Sequence, residues 1–221
     1  MNDLPTSSSR YPRDLIRSVL MPAPSPPDFE PLWPAKVPAQ MTAGLKSWLP
    51  SRRKPAAVLV PVIPREGSLN ILLTQRSPHL REHAGQVSFP GGRIESADGS
   101  PWHAALRETH EEVGIAPDRV EFAGYLPDHL VGTGFRVTPV VGFVTPPVRL
   151  TLASDEVQDV FEVPLDYLFD VANHSLRRRL FGETEVHFHD IRFQQRSIWG
   201  ATAGILLTWK RLADALRQER S

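Results

Sequence analysis

Residues 90–115, PGGRIESADGSPWHAALRETHEEVGI, constrain this chain more than any other stretch. Ser100 is suited to cap a helix, Pro101 fits the first helical position because its missing N–H has no partner there, and Gly114 suits the stop. A short helix is therefore expected between residues 100 and 114. Glu108, Glu111 and Glu112 stand at i, i+3 and i+4 on it and share one face. Three carboxylates that close repel one another, and a hard divalent cation removes the conflict, since Mg²⁺ and Mn²⁺ prefer oxygen ligands. Arg107 lies at i, i+4 to Glu111 and can brace it. The competing reading is a solvated acidic helix face, the usual fate of a charge run.

The glycines favour the first reading. Gly91 and Gly92 follow an apolar run at residues 87–89, so a strand delivers the chain to a tight loop and the loop delivers it to the helix. Together these residues resemble the Nudix box, the signature of hydrolases that cleave a nucleoside diphosphate linked to another group. Gly92, Arg107, Glu108, Glu111, Glu112, Gly114 and Ile115 fit its pattern. Asp98 stands where the pattern has Glu and one residue further from Arg107, and Thr109 takes a position that is usually apolar. The resemblance implies an α/β (α+β) Nudix fold, a mixed sheet between helices, with Mg²⁺ or Mn²⁺ on Glu108, Glu111 and Glu112.

Residues 72–92, LLTQRSPHLREHAGQVSFPGG, resemble the additional motif of coenzyme A diphosphatases within that family. Arg76, Arg81 and His83 make the stretch locally cationic, as a substrate with a diphosphate and a separate ribose phosphate requires. The resemblance implies cleavage of coenzyme A or a derivative to adenosine 3',5'-bisphosphate and (acyl-)4'-phosphopantetheine. Arg76, Arg81, Gly91 and Gly92 are then expected at the substrate, and Glu111, Arg107 and Glu156 in catalysis. Arg107 would orient a glutamate rather than touch substrate. In this family a carboxylate outside the box often completes the metal site or takes the proton from water. Glu156 is the candidate here and Asp155 the second, while capping of a following helical turn is an equal reading for both. Two other functions stay open: a Nudix pyrophosphatase acting on ADP-ribose, NADH or a similar compound, and a catalytically silent nucleotide-binding regulator. The intact set of glutamates argues against silence.

Bulk properties exclude several classes. Lys and Arg balance Asp and Glu at 25 each, so no global field draws nucleic acid or a membrane. The absence of cysteine removes disulfides, thiolate metal sites and cysteine nucleophiles. No run approaches the ~20 apolar residues of a bilayer span, the start lacks a secretory apolar core, and a cytoplasmic location is expected.

Residues 1–50 read as a Pro-rich extension and 51–221 as the hydrolase domain. Short helices are expected within 11–21 and 41–49, with Phe29, Leu32 and Trp33 docking on the core or contributing to a homodimer interface. Strands are expected at 56–63, 69–75, 87–89, 120–126 and 137–144. An amphipathic helix over 198–217 should bury Ile205, Leu206, Trp209, Leu212 and Leu216. His187 and His189 would share one face of an edge strand, where a solvated face is favoured over a metal pair. His110 is expected to be exposed.

Overall fold

The structure, a computed structural model, describes residues 9–26, 53–80, 82–181 and 184–219. Arg81, the expected helix at 41–49 and the docking residues Phe29, Leu32 and Trp33 lie outside the described residues.

The chain forms α1 (Arg13–Ser18), β1 (Lys54–Arg65), β2 (Ser68–Arg76), β3 (Val87–Ser88), β4 (Gly91–Arg93) and α2 (Pro101–Val113). It continues through β5 (Val120–Tyr125), β6 (His129–Leu130), β7 (Phe135–Val144), β8 (Val157–Pro164) and α3 (Leu165–Phe169). Three further strands, β9 (His174–Phe181), β10 (Thr184–Phe193) and β11 (Arg196–Trp199), precede α4 (Gly200–Glu219). The main sheet runs β3-β2-β1-β7-β5, with β4 added to β1, β6 to β7 and β8 to β2. β1 and β7 pair in parallel, and the other pairs are antiparallel. This is the mixed sheet between helices expected from the sequence.

β1 shows why the sheet is covered on both sides. Its side chains alternate with period two, so Ala57, Leu59 and Ile63 pack with α2 on one face while Ala56, Val60 and Val62 join the cluster on the other. The first face is closed by Ala104, Ala105, Leu106 and Val113 of α2. The second is closed by Ile205, Leu206 and Trp209 of α4, by Leu168 and Phe169 of α3, and by Leu15 and Ile16 of α1. Trp209 is fully buried and meets Phe169 edge to face at 5.5 Å between ring centroids. Leu212 and Leu216 sit only partly buried at the margin of this stripe.

Three expectations are corrected. The residues before 50 are not wholly outside the core, because Ile16 is fully buried and the Tyr11 ring meets Phe169 at 4.7 Å. A helix of only six residues gains its stability from such tertiary contacts, which its own sequence does not announce. His187 and His189 lie on β10, the central strand of a separate three-stranded sheet ordered β11-β10-β9, and not on an edge strand. Both side chains are exposed. Finally, Asp155 and Glu156 precede β8, a strand, so there is no helical turn for them to cap.

Candidate active site

α2 is set by its ends. The Ser100 hydroxyl accepts the His103 N–H, Pro101 occupies the first turn, and Gly114 closes the helix in the left-handed region at φ 77°. A Cβ at Gly114 would stand 2.8 Å from the Thr151 nitrogen, so the helix end is also pressed against the following loop. That loop is tied down through the helix's last carbonyls: Ala153 N–H donates to Glu112 O at 3.0 Å and Thr151 N–H to Val113 O at 2.9 Å. Orphan carbonyls are thus satisfied, and the loop that leads to Glu156 is fastened to the helix bearing the glutamates.

Thr109 departs from the apolar pattern at no evident cost. It is fully buried, and its hydroxyl donates to Ala105 O at 2.6 Å, the back-bond that lets Thr sit inside a helix. His110 on the outer side is exposed.

The glutamates differ in environment. Glu111 is exposed and takes a 3.2 Å ion pair from Arg107 Nη1. Glu108 is half buried and accepts from the same nitrogen at 2.9 Å; burial raises its pKa, partly offset by Arg107. Glu112 is only 4% exposed, accepts the Gly91 N–H at 3.1 Å and has Arg76 Nη1 at 3.7 Å. Burial pushes its pKa up to about 7 despite both partners, and the charges of Glu108 and Glu156 push the same way. Glu156 itself is exposed, and its backbone carbonyl accepts the Ser77 N–H at 2.8 Å.

Arg107 is the hub of the site. Besides the two glutamates it grips Asp98 through both Nε at 2.9 Å and Nη2 at 3.0 Å, and Nη2 also reaches Arg93 O at 3.1 Å. Asp98 is buried at 7% exposed, takes the Glu95 N–H at 2.7 Å, and is held below the ordinary carboxylate pKa chiefly by Arg107. The paired fork fixes the guanidinium plane. The sequence pattern left Asp98 without a role; the acid in the glycine-rich loop, close to the box Arg, was the only signal of this pairing.

The two glycines are required by close approach. A Cβ on Gly92 would lie 2.4 Å from the Glu108 carboxyl carbon, and one on Gly91, whose φ is 154°, would lie 2.4 Å from Ala57 O. The loop therefore presses backbone against the carboxylates. Among the described residues no three His, Asp or Glu side chains form a ready ligand cluster, because Arg107 draws Glu108 and Glu111 to itself while Gly91 and Arg76 hold Glu112. The donor set nevertheless fits a hard cation. Burial raises the pKa of Glu108 and of Glu112, neighbouring carboxylate charges push the same way, and a divalent ion relieves that repulsion.

Residues 53–193 match the NUDIX domain. The chain is 44% identical over 160 residues to the Nudix hydrolase NudL of Enterobacter sp., covering 70% of this chain and 80% of that protein. It is 45% identical over 152 residues to NudL of Escherichia coli, covering 68% and 78%. A Nudix hydrolase of Mycobacterium smegmatis, RenU, superposes with a TM-score of 0.50 at 20% identity over 75% of this chain and 87% of its own. A MutT/nudix family protein of Enterococcus faecalis gives 0.51 at 18% identity over 81% and 71%. These two structures speak for the fold alone. A glutamate-bearing helix seated on a double-glycine loop, in this fold and with these relatives, defines a hydrolase of nucleoside diphosphate derivatives. The chain belongs to the Nudix family.

Proposed function

We propose that this chain hydrolyses the diphosphate of coenzyme A or a derivative, releasing adenosine 3',5'-bisphosphate and (acyl-)4'-phosphopantetheine. The observation that carries the reading is the course of residues 72–92. The stretch that resembles the coenzyme A motif runs through β2 and β3 into the glycine loop, which donates Gly91 N–H to Glu112 and abuts Glu108. The segment proposed to recognise substrate is thus continuous with the wall of the carboxylate site. Arg76 supports it further: its Nη1 lies beside Glu112, and its Nε is buried without a hydrogen-bond partner among the described residues. An anionic substrate oxygen is the partner such a guanidinium suits.

Glu108, Glu111 and Glu112 are the proposed holders of Mg²⁺ or Mn²⁺. When bound, the ion lowers the pKa of coordinated water and neutralises phosphate charge. Arg107, fixed by Asp98, acts as a positioning residue for Glu108 and Glu111. Glu156 is exposed to solvent beside the two inner glutamates, and we assign it the proton of the attacking water. Gly91 and Gly92 bring the loop backbone against the glutamates, where the diphosphate would lie. The reading carries with it a cytoplasmic location, and a hydrolase domain of residues 51–221 to which α1 is added as a strap. Among the described residues no helix is long and apolar enough to cross a membrane.

The test is chromatography of coenzyme A incubated with the protein and Mg²⁺ or Mn²⁺. Adenosine 3',5'-bisphosphate should appear, and a Glu111→Gln variant should lose the release. Intact coenzyme A alongside cleaved ADP-ribose or NADH would move the reading to those substrates, and no cleavage of any of them would leave a binding regulator.

A further inference from the structure

Beyond the carboxylates, β4 turns a second set of groups the other way. Side chains alternate along a strand, so while the Gly92 position faces Glu108, Arg93 points to the opposite face of the sheet. There it pairs in register with Ala56 of β1, two residues along from Lys54, and Lys54 in turn lies opposite Phe135 of β7. Both cations stand over one ring: Arg93 Cζ is 5.6 Å and Lys54 Nζ 5.9 Å from the Phe135 centroid. They line a cleft of about 290 Å³ completed by Glu82, His83 and Thr133. Neither Lys54 nor Arg93 has a carboxylate within ion-pair distance among the described residues, and Glu82 is the one acid on the wall. The His83 wall is preset, with His83 at φ 58° and its ring bonded to Gln86 at 3.0 Å.

The cleft's place matters as much as its charge. Arg93 O receives Arg107 Nη2, so the residue that presents a cation to the cleft also touches the hub of the carboxylate site. The two sites are thus linked through the backbone of β4. A ligand reaching both needs two anionic groups separated by a short spacer and a flat or sugar body to rest near the ring. A ribose bearing phosphates on C5' and C3' meets that description.

We propose that Lys54 and Arg93, over Phe135, form the subsite for the ribose 3'-phosphate of the substrate, a specificity-determining pair separate from the glutamates. The proposal rests on the coenzyme A reading above. It explains in physical terms how one Nudix site can prefer a 3'-phosphorylated nucleotide: two cations with no carboxylate partner among the described residues favour an added dianion over a bare hydroxyl.

The test compares coenzyme A with dephospho-coenzyme A, which lacks only that phosphate. In the full-length protein with Mg²⁺, the ratio of kcat/KM for the two substrates should fall about tenfold in Lys54→Gln/Arg93→Gln, through KM for coenzyme A. An equal loss for both substrates, or an unchanged ratio, overturns the subsite while leaving coenzyme A hydrolysis standing. If the wild type cleaves neither compound, the proposed function fails and calorimetry decides the subsite independently. Adenosine 3',5'-bisphosphate should then bind more tightly than AMP to the wild type and equally to the double variant. Equal binding of both nucleotides to the wild type would overturn it. Circular dichroism of the double variant should match wild type, both side chains being exposed.

Discussion

The two faces of the central sheet are packed by opposite rules. On one, α4, α3 and α1 bring large apolar side chains, Trp209, Phe169 and Ile16, against Val60, Val62 and Phe143. On the other, α2 offers Ala104 and Ala105 to the sheet and buries a threonine and a glutamate beside them. Small residues let the helix approach closely, and closeness sets the glutamate face within reach of the glycine loop. The lesson is that the α4 face holds the fold while the α2 face gives up stability to bury one carboxyl group, that of Glu112.

If that division is real, the largest change in stability should come from the α4 face with the least change in chemistry. Trp209→Ala is expected to cost about 3–5 kcal/mol in urea unfolding, with kcat of the folded fraction close to wild type. A large fall in kcat would break the comparison by showing that α4 supports the site directly.

The next effect belongs to Glu112. Its folded pKa, about 7, lies above the 4.5 of an ordinary glutamate, so the folded state favours the protonated form. Stability from this group is full below about 4.5 and is lost as pH rises through about 7. Metal-free protein should therefore lose up to about 3 kcal/mol across that window. Glu112→Gln should flatten the dependence in EDTA, and Mg²⁺ should restore the wild type above pH 7. Glu111 is exposed and paired with Arg107, which moves the strain inward to Glu112. A melting profile of Glu112→Gln parallel to wild type from pH 4 to 8 would refute this.

Gly92→Ala sharpens the comparison from the chemical side. The new methyl would push on the Glu108 carboxylate, and a misplacement of that kind costs about a hundredfold in kcat/KM. Thermal stability should change far less than in Trp209→Ala. The smallest effect is expected from Thr109→Val, about 1 kcal/mol or less, because the hydroxyl serves only its own helix. A loss of activity there would show that the back-bond shapes the glutamate face.

Legibility followed the range of the physics. The limits of α2 were readable because Ser100, Pro101 and Gly114 act on the backbone beside them. The long strands β1, β2 and β7 were readable because burial on both faces leaves alternating or continuous apolar runs in them, whereas β8 was not, a helical turn being expected after Asp155 and Glu156. β9 escaped notice since its arginines, in LRRR, suggest a solvated charge run; its pairing with β10 is a long-range fact. Asp98 could be seen as a departure but not as the anchor of Arg107, because that contact depends on how the loop folds back. The burial of α1 was hidden for the same reason, Ile16 and Tyr11 being fixed by residues far along the chain.

The tether between residues 151–153 and the last carbonyls of α2 divides the following loop into two parts with different tolerance for change. Residues added before Thr151 lengthen a rim without altering where Glu156 stands relative to Glu112. Residues added between Ala153 and Glu156 uncouple them. Variation in loop length can therefore collect upstream of the tether while Glu156 beyond it keeps its station.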